Sequence, residues 1–322
     1  MADRPQPIHL RLPATSANLG AAFDTAAVAL NFALEIDATP AAEFSIHASG
    51  RNIAECSRLD GNLILDTYRS LLAREGRTAP PLALRMNNQI PLGMGCGSSA
   101  AGLLAAVALA AHFGALGWSG ARVLAEAVLL EGHPDNAAAC WHGGLVVAAT
   151  AAPGSSSASV LTENHALPLI SIPPPDSWRA ILVLPSRPLA TRHARSVLPD
   201  AWSRADVGAN LQAAALLAPA FATGRADLLA AATRDRLHQP FRRAICPLLD
   251  PLLPLVGHHG IHSVTLSGAG PSVLLITQQE QTPALAAITG ALHTLQLEPV
   301  RDFELLPARL EPNGAASHWH PR

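Results

Sequence analysis

Hydrophobic and polar positions change their period several times along this 322-residue chain. Residues 8–12 and 26–37 are rich in Val, Leu and Ile and read as strands, and residues 43–48 alternate in the period-two manner of a strand with one buried face. Residues 62–72 space their apolar side chains as an amphipathic helix does, and residues 82–86 return to strand. Residues 99–112 are almost wholly Ala, Leu and Val, the composition of a helix buried all round. A further helix over 121–130 runs into a Pro134-Asp135-Asn136 turn, followed by a strand over 143–148. In the second half, residues 179–184 predict a strand, 205–217 and 225–236 helices, 264–266 and 273–276 a hairpin, and 284–295 a helix. Helices and strands mix without strict alternation, which indicates an α+β architecture.

Two breaks interrupt this pattern: a run of Ala, Pro, Gly and Ser over 152–159, and three successive prolines within 172–176. A boundary between them gives an N-terminal domain over residues 1–159 and a C-terminal domain over 172–310. The polar residues 311–322 are expected to form a loose tail. Composition supports a well-packed globular chain, with 49% hydrophobic and 14% charged residues. The net charge of −2, without a basic tract, speaks against nucleic acid or an anionic membrane as partner. The most apolar run, residues 100–111, is too short to span a bilayer. The first residues lack the character of a secretory leader, so a cytoplasmic location is expected. Cys56, Cys96, Cys140 and Cys246 are far apart and lack metal-ligand spacing, which fits free thiols in a reducing compartment.

The segment Pro91-Leu92-Gly93-Met94-Gly95-Cys96-Gly97-Ser98-Ser99-Ala100-Ala101-Gly102 carries the chemistry. Alternating glycines let backbone approach a polyanion, and the helix that follows offers free N–H groups and the positive end of its dipole. Ser98 and Ser99 can cap that helix or reach a phosphate oxygen or Mg²⁺. The loop thus reads as a nucleoside triphosphate site, with a tight turn and an ordinary cap as the plainer alternative. All 22 basic residues are arginines; the chain has no lysine. That excludes a Walker lysine, a Schiff-base lysine and the protein-kinase strand lysine. A Rossmann-type oxidoreductase is disfavoured too, because no ribose-binding acid follows the glycines near residues 110–120.

Three glycine- and serine-bearing motifs occur in order: Leu12-Pro13-Ala14-Thr15-Ser16-Ala17-Asn18-Leu19-Gly20-Ala21-Ala22-Phe23-Asp24, the loop from Pro91, and Leu266-Ser267-Gly268-Ala269-Gly270-Pro271-Ser272-Val273. Together they resemble the motifs of the GHMP small-molecule kinases over roughly residues 8–310. The first motif with Glu131-Gly132-His133-Pro134-Asp135-Asn136 resembles the homoserine kinase branch in particular. Ala21-Ala22 replaces a usual Pro-Gly and Cys96 a usual leucine, departures that touch loop geometry.

The resemblance implies a two-domain GHMP kinase fold with the active site in the cleft between the domains, ATP and Mg²⁺ as reactant and metal, and a homodimer. It implies that residues 91–101 cradle the ATP phosphates, that Ser98 touches phosphate and that Ser99 binds Mg²⁺ with a glutamate. Glu126 fits the expected helix position better than Glu131. Asn62 either contacts adenine or starts a helix. The acceptor would be L-homoserine, phosphorylated on its side-chain hydroxyl on the way to threonine. Asn18 and Asp24 would hold its hydroxyl and amino ends, and Thr191, Arg195 and Arg242 its carboxylate, which arginine grips bidentately. Asn136 stands where several relatives place an aspartate. An amide is no general base, so direct in-line attack is implied, with Asn136 and Asp24 as the residues at the reacting end. His133 reads as structural. Ser267, Gly268 and Gly270 would close against the phosphate loop. A kinase for mevalonate or a sugar, and a catalytically silent ligand-binding relative, are the competing readings.

Overall fold

The computed structural model describes residues 6–150, 167–293 and 302–319. The run at 152–159 and the last two residues of the helix expected over 284–295 lie outside these. The N-terminal half runs β1 (Ile8–Ala17), β2 (Ala26–Pro40), β3 (Ser45–Gly50), α1 (Ile53–Cys56), α2 (Leu63–Arg74), β4 (Leu82–Asn88), α3 (Ser98–Phe113), α4 (Gly120–Glu131), α5 (Asp135–His142), β5 (Leu145–Ala148) and β6 (Leu169–Ile172). The remainder comprises β7 (Trp178–Pro185), α6 (Thr191–Ser196), α7 (Arg204–Thr223), α8 (Leu229–Ala232), α9 (Gln239–Arg242), α10 (Leu249–Leu252), β8 (Ile261–Leu266), β9 (Val273–Gln278), α11 (Thr282–His293) and β10 (Phe303–Arg309).

Among the described residues the first sheet has the order β3-β4-β2-β5-β6, with β1 also paired to β2, and only β3 and β4 run parallel. Helix α3 packs between α2 and α4 and reaches β1 and β2. Every residue from Ala100 to Phe113 is buried, as its uniformly apolar composition requires. The second sheet is antiparallel in the order β10-β7-β9-β8. Strands β7, β8 and β9 bury both faces, whereas the edge strand β10 is largely exposed or half-buried. On β7, Trp178, Ala180, Leu182 and Leu184 join the N-terminal core, while Ile181 and Val183 face a second core with Leu249, Leu252 and Ile288. The period-two alternation of side chains thus fuses the two halves along one face of the second sheet.

Four expectations need correction. Strand β6 pairs with β5, so the first sheet reaches Ile172, and the change of sheet falls at Pro173–Pro175. The tail is docked over 311–319. Gly144 N–H donates to Glu311 O (2.7 Å), Glu311 N–H to Ala29 O (2.9 Å), and Arg11 pairs with the Glu311 carboxylate at 3.3 Å. Gly314 lies so close that a Cβ there would stand 2.3 Å from Trp141 O, and Trp319 is buried beside Trp141. The helix expected over 225–236 is broken after α8, where the Asp235 carboxylate collects the N–H groups of Leu237, His238 and Gln239. Asp135-Asn136 is no free turn but the first turn of α5, drawn inward by buried Ala137–Trp141. Among the described residues no helix is long and apolar enough to cross a membrane.

Candidate active site

Three loops distant in sequence are stitched together at the N-terminus of α3. Gly93, Gly95 and Gly97 have φ of +70°, +73° and +72°, a region other residues enter only with strain. The space a Cβ would need is already taken. At Gly95 it would meet Ser267 O at 2.1 Å, and at Gly97 Thr15 Oγ1 at 1.9 Å. Ser267 Oγ donates to Gly95 O (2.7 Å), Gly268 N–H to Ala17 O (3.1 Å), and Asn18 Nδ2 to Gly268 O (2.8 Å). Thr15 N–H donates to Cys96 O at 3.1 Å. Gly270, with φ +89°, completes the third motif. Cys96 is fully enclosed, and burial pushes its thiol up to about 12, which makes it an unreactive packing group.

A cavity of about 80 Å³ opens beside this junction, lined from both halves of the chain. Its floor carries an acidic and amide cluster. Ser99 Oγ donates to Glu131 Oε2 at 2.9 Å. His133 Nδ1 lies 2.7 Å from Asp135 Oδ1, and its Nε2 is 3.9 Å from Glu131. Burial raises the Glu131 carboxyl above its ordinary value, against the hydrogen bond from Ser99 and the charge of His133. For His133, burial acts downward, but the hydrogen bond to Asp135 and the charges of Asp135, Glu131 and Asp24 carry it net upward. Thr15 Oγ1 donates to Asn136 Oδ1 at 2.7 Å. That fixes the amide with its NH₂ group as the remaining functional end.

Arginines form the opposite wall. Arg195 Nη1 and Nη2 donate to the two Asp24 oxygens at 2.9 and 2.7 Å. Asp24 N–H donates to Asn18 Oδ1 at 2.9 Å, and both residues hold positive φ. Arg242 is 1% exposed, so its charge is almost wholly withdrawn from water. Burial, then the neighbouring Arg195 charge, lower its pKa to about 10, which leaves it cationic at neutral pH. The Phe23 ring lies near both guanidinium groups, with its centroid 5.7 Å from Arg195 and 5.5 Å from Arg242. Thr191, at the start of α6, lines the same cavity and also a larger, mostly apolar cleft of about 420 Å³. The two spaces share Gly93, Ser98, Ser99, Leu189 and Thr191.

Residues 62–144 match the family described as GHMP kinases N terminal domain, and residues 217–289 match GHMP kinases C terminal. A homoserine kinase of Solibacter usitatus is 40% identical over 308 residues, covering 93% of this chain and 97% of that protein. The chain belongs to the homoserine kinase family, within the GHMP kinases. Among solved structures, homoserine kinase from Cytophaga hutchinsonii aligns with a TM-score of 0.75 at 20% identity, covering 98% of each chain. The L. major mevalonate kinase in complex with R-mevalonate aligns at 0.65 and 13% identity, covering 95% of this chain and 97% of that one. Both share the two-domain GHMP kinase fold.

In this homoserine kinase family member the expected residues fall into distinct groups. Asn18, Asp24, Gly93, Gly95, Cys96, Gly97, Ser98, Ser99, Asn136, Thr191, Arg195, Arg242 and Gly268 line the smaller cavity. Ser267 and Gly270 support the loop from behind, against Gly95. Leu92 and Asn62 face the apolar cleft. The Asn62 side chain is occupied as the cap of α2, accepting from Ile64 and Leu65 N–H and donating to Cys56 O. Pro91 and Met94 face a separate hollow beside Arg51 and Glu304, and Ala100 and Ala101 are wholly buried in α3. Glu126, expected as the metal-side acid, sits apart from the loop. It is fully buried, held by Arg74 at 2.7 Å and Arg122 at 3.5 Å, and lines neither cavity. Glu131 instead meets Ser99. The residues are five apart, about 140° around a helix, so only one can face the loop. Thr15 and Phe23 lie inside the first motif, where nothing in their residue type marks the part they take. His238 was signalled only by standing four residues before Arg242.

Proposed function

We propose that the chain transfers the γ-phosphoryl group of ATP to the side-chain hydroxyl of L-homoserine, giving O-phospho-L-homoserine for threonine synthesis. The observation that carries this reading is the Arg195–Asp24 pair beside buried Arg242. The pair sets a cation and an anion side by side, the complement of an α-amino acid's adjacent carboxylate and ammonium. Arg242 and Thr191 flank the carboxylate position, and Asp24 with Asp135 offers oxygens to the ammonium. Mevalonate and sugars carry no ammonium and would forgo its bonds to these carboxylates, which Arg195 and His133 already hold in place, a loss that favours an amino acid.

The apolar cleft accommodates the nucleoside, and the α3 N-terminus with Ser98 receives the phosphates. The donors beside the loop fit a hard cation. Ser99 and Glu131 present oxygen only, and a buried carboxylate raised by desolvation gains from a cation nearby. Ser99 and Glu131 would hold Mg²⁺ there, and it would supply charge neutralisation at the phosphates. Asn136, with its oxygen held by Thr15, turns its NH₂ to the acceptor hydroxyl and orients its lone pair. The hydroxyl oxygen bonds to the γ-phosphorus in line as the bond to the leaving ADP oxygen breaks, and the hydroxyl proton passes to the transferred phosphate. Positioning and electrostatics therefore carry the rate.

The family resemblance further implies a homodimer and a cytoplasmic enzyme; sedimentation of the purified chain tests the first. The activity is tested by coupled ADP release with Mg-ATP and L-homoserine, L-serine, L-threonine, mevalonate and galactose, with Arg242→Ala alongside. Turnover of L-homoserine that Arg242→Ala abolishes supports the reading, and preferred turnover of mevalonate or galactose overturns the substrate.

A further inference from the structure

Arg242 is held in place by a histidine that takes no part in the transfer described above. His238 stands one helical turn earlier and is fully buried. Its Nδ1 lies 2.9 Å from Arg242 Nη1, and its Nε2 lies 2.9 Å from the carbonyl oxygen of Gly20. A guanidinium only donates and a carbonyl only accepts. Nδ1 must therefore be the acceptor and Nε2 must carry the proton, so both contacts exist only in the neutral ring and in one tautomer. The groups facing the ring are Asp235, whose carboxylate is 3.6 Å from Nε2, Asp24, and Arg242. Burial holds the imidazole below its ordinary pKa, the two carboxylates pull upward, and Arg242 pushes downward. The Phe23 ring stacks on His238 with centroids 5.3 Å apart.

Gly20 lies between Asn18 and Asp24, the residues assigned above to the other end of the acceptor. One imidazole thus spans the substrate arginine on α9 and the loop that carries its counterparts. We propose that His238 is a positioning residue, which as the neutral Nε2–H tautomer fixes Arg242 for the substrate carboxylate and sets its distance from the Asn18–Asp24 loop. This rests on the assignment of Arg242 to the carboxylate. Without His238, Arg242 keeps the bond from Nε to Ala194 O (2.9 Å) and loses the contact that holds the far end of its guanidinium. A protonated ring would set two donors and two cations face to face.

The test compares Arg242→Ala with His238→Asn, His238→Gln and His238→Ala in the full chain, measuring KM for L-homoserine, KM for ATP, kcat and thermal stability. Asn keeps an acceptor near the Nδ1 position; Gln reaches the Gly20 side but leaves Arg242 without its acceptor. Homoserine KM should rise about ten- to a hundredfold in the Gln and Ala variants, as expected for a lost bond to a charged group. It should recover to within about threefold of wild type in Asn, with KM for ATP and kcat little changed throughout. In the unaltered protein, nitrogen NMR of His238 at pH 7 should report the neutral Nε2–H tautomer, a readout that does not depend on any variant folding. The Nδ1–H tautomer or an imidazolium there overturns the proposal. So does an equal fall of kcat, both KM effects and stability in all three His238 variants. If Arg242→Ala raises homoserine KM while His238→Gln and →Ala do not, the positioning role fails and the carboxylate assignment stands. If Arg242→Ala leaves homoserine KM unchanged, the assignment itself fails and the positioning role falls with it.

Discussion

Replacing Gly97 with alanine isolates how far the phosphate loop depends on crowding rather than on ligand contact. The new Cβ would stand 1.9 Å from Thr15 Oγ1 and 3.1 Å from Thr15 Cβ, against an optimum near 3.5–4.0 Å for non-bonded carbon atoms. Loop and strand must therefore part by roughly 1.5 Å. Thr15 has little room to yield, since its N–H is bound to Cys96 O and its hydroxyl to Asn136 Oδ1. The φ of +72° adds left-handed strain of about 1–2 kcal/mol. Loss of the Thr15–Asn136 bond, with the amide oxygen stranded, adds about 1–3 kcal/mol. The expected destabilisation is about 2–5 kcal/mol. A displacement near 1 Å at Asn136 should also lower kcat about a hundredfold. Gly117 is the control: its φ is +67°, with open space where the Cβ would go, so Gly117→Ala should lose only the strain, about 1–2 kcal/mol, and no activity. Urea unfolding and coupled ADP release read both variants. Equal stability losses in the two, with Gly97→Ala retaining activity within about threefold of wild type, would refute the crowding argument.

The acid beside Ser99 separates from the acid held by arginines. Glu131→Gln should lower kcat/KM by about 10²–10³-fold and shift the Mg²⁺ dependence. Glu126→Gln should stay within a few-fold of wild-type activity and lose about 1–3 kcal/mol of stability as Arg74 and Arg122 lose their buried partner; the reverse pattern in Mg²⁺ titrations would return the metal role to Glu126. The Glu131 carboxyl is raised in the folded chain, so its contribution to stability is present below its unfolded value of 4.5 and is lost as pH rises through the folded one. Without nucleotide and metal, Glu131→Gln should therefore melt higher than wild type at pH 7, and a lower melting temperature contradicts this. His133 is also raised, so its contribution is complete below 6.5 and is lost as pH climbs through its folded value. The stability difference between wild type and His133→Asn should shrink from about pH 6 to pH 9; a difference that widens over that range rejects the electrostatic account.

Local chemistry was legible in the sequence where one residue type answers one requirement. The Gly93, Gly95 and Gly97 alternation signalled close approach, and all three glycines adopt positive φ. What the spacing hid is that much of the approach is to Thr15, Pro188 and Ser267 of the chain itself. The buried character of α3 was equally plain from its composition. The choice between Glu126 and Glu131 was not, because rotation about a helix is settled by what the neighbouring helix presents, and Arg74 lies 52 residues away. Strand β10 is obscure in the sequence because it carries Pro307 and only partial alternation; among the described strands it pairs with β7 alone, and an edge strand tolerates proline. The tail read as loose because its contacts, to Ala29, Gly144 and Trp141, are all distant in sequence. His238 was likewise silent, since its meaning depends on Gly20, 218 positions away.

The docking of residues 311–319 changes how the two sheets can move. The chain leaves the first sheet after β6, builds the second, and returns through the Leu30–Leu310 bridge and the Glu311–Ala29 contact to β2 of the first sheet. The second sheet is therefore suspended from the first at two crossings rather than one, and the first crossing is stiffened by Pro173–Pro175. A body tied at two points and packed on the first core along one face has little freedom to slide or twist against it. The loop at Gly268 and the loop at Gly95 are thereby kept in register by the frame as well as by their own hydrogen bonds.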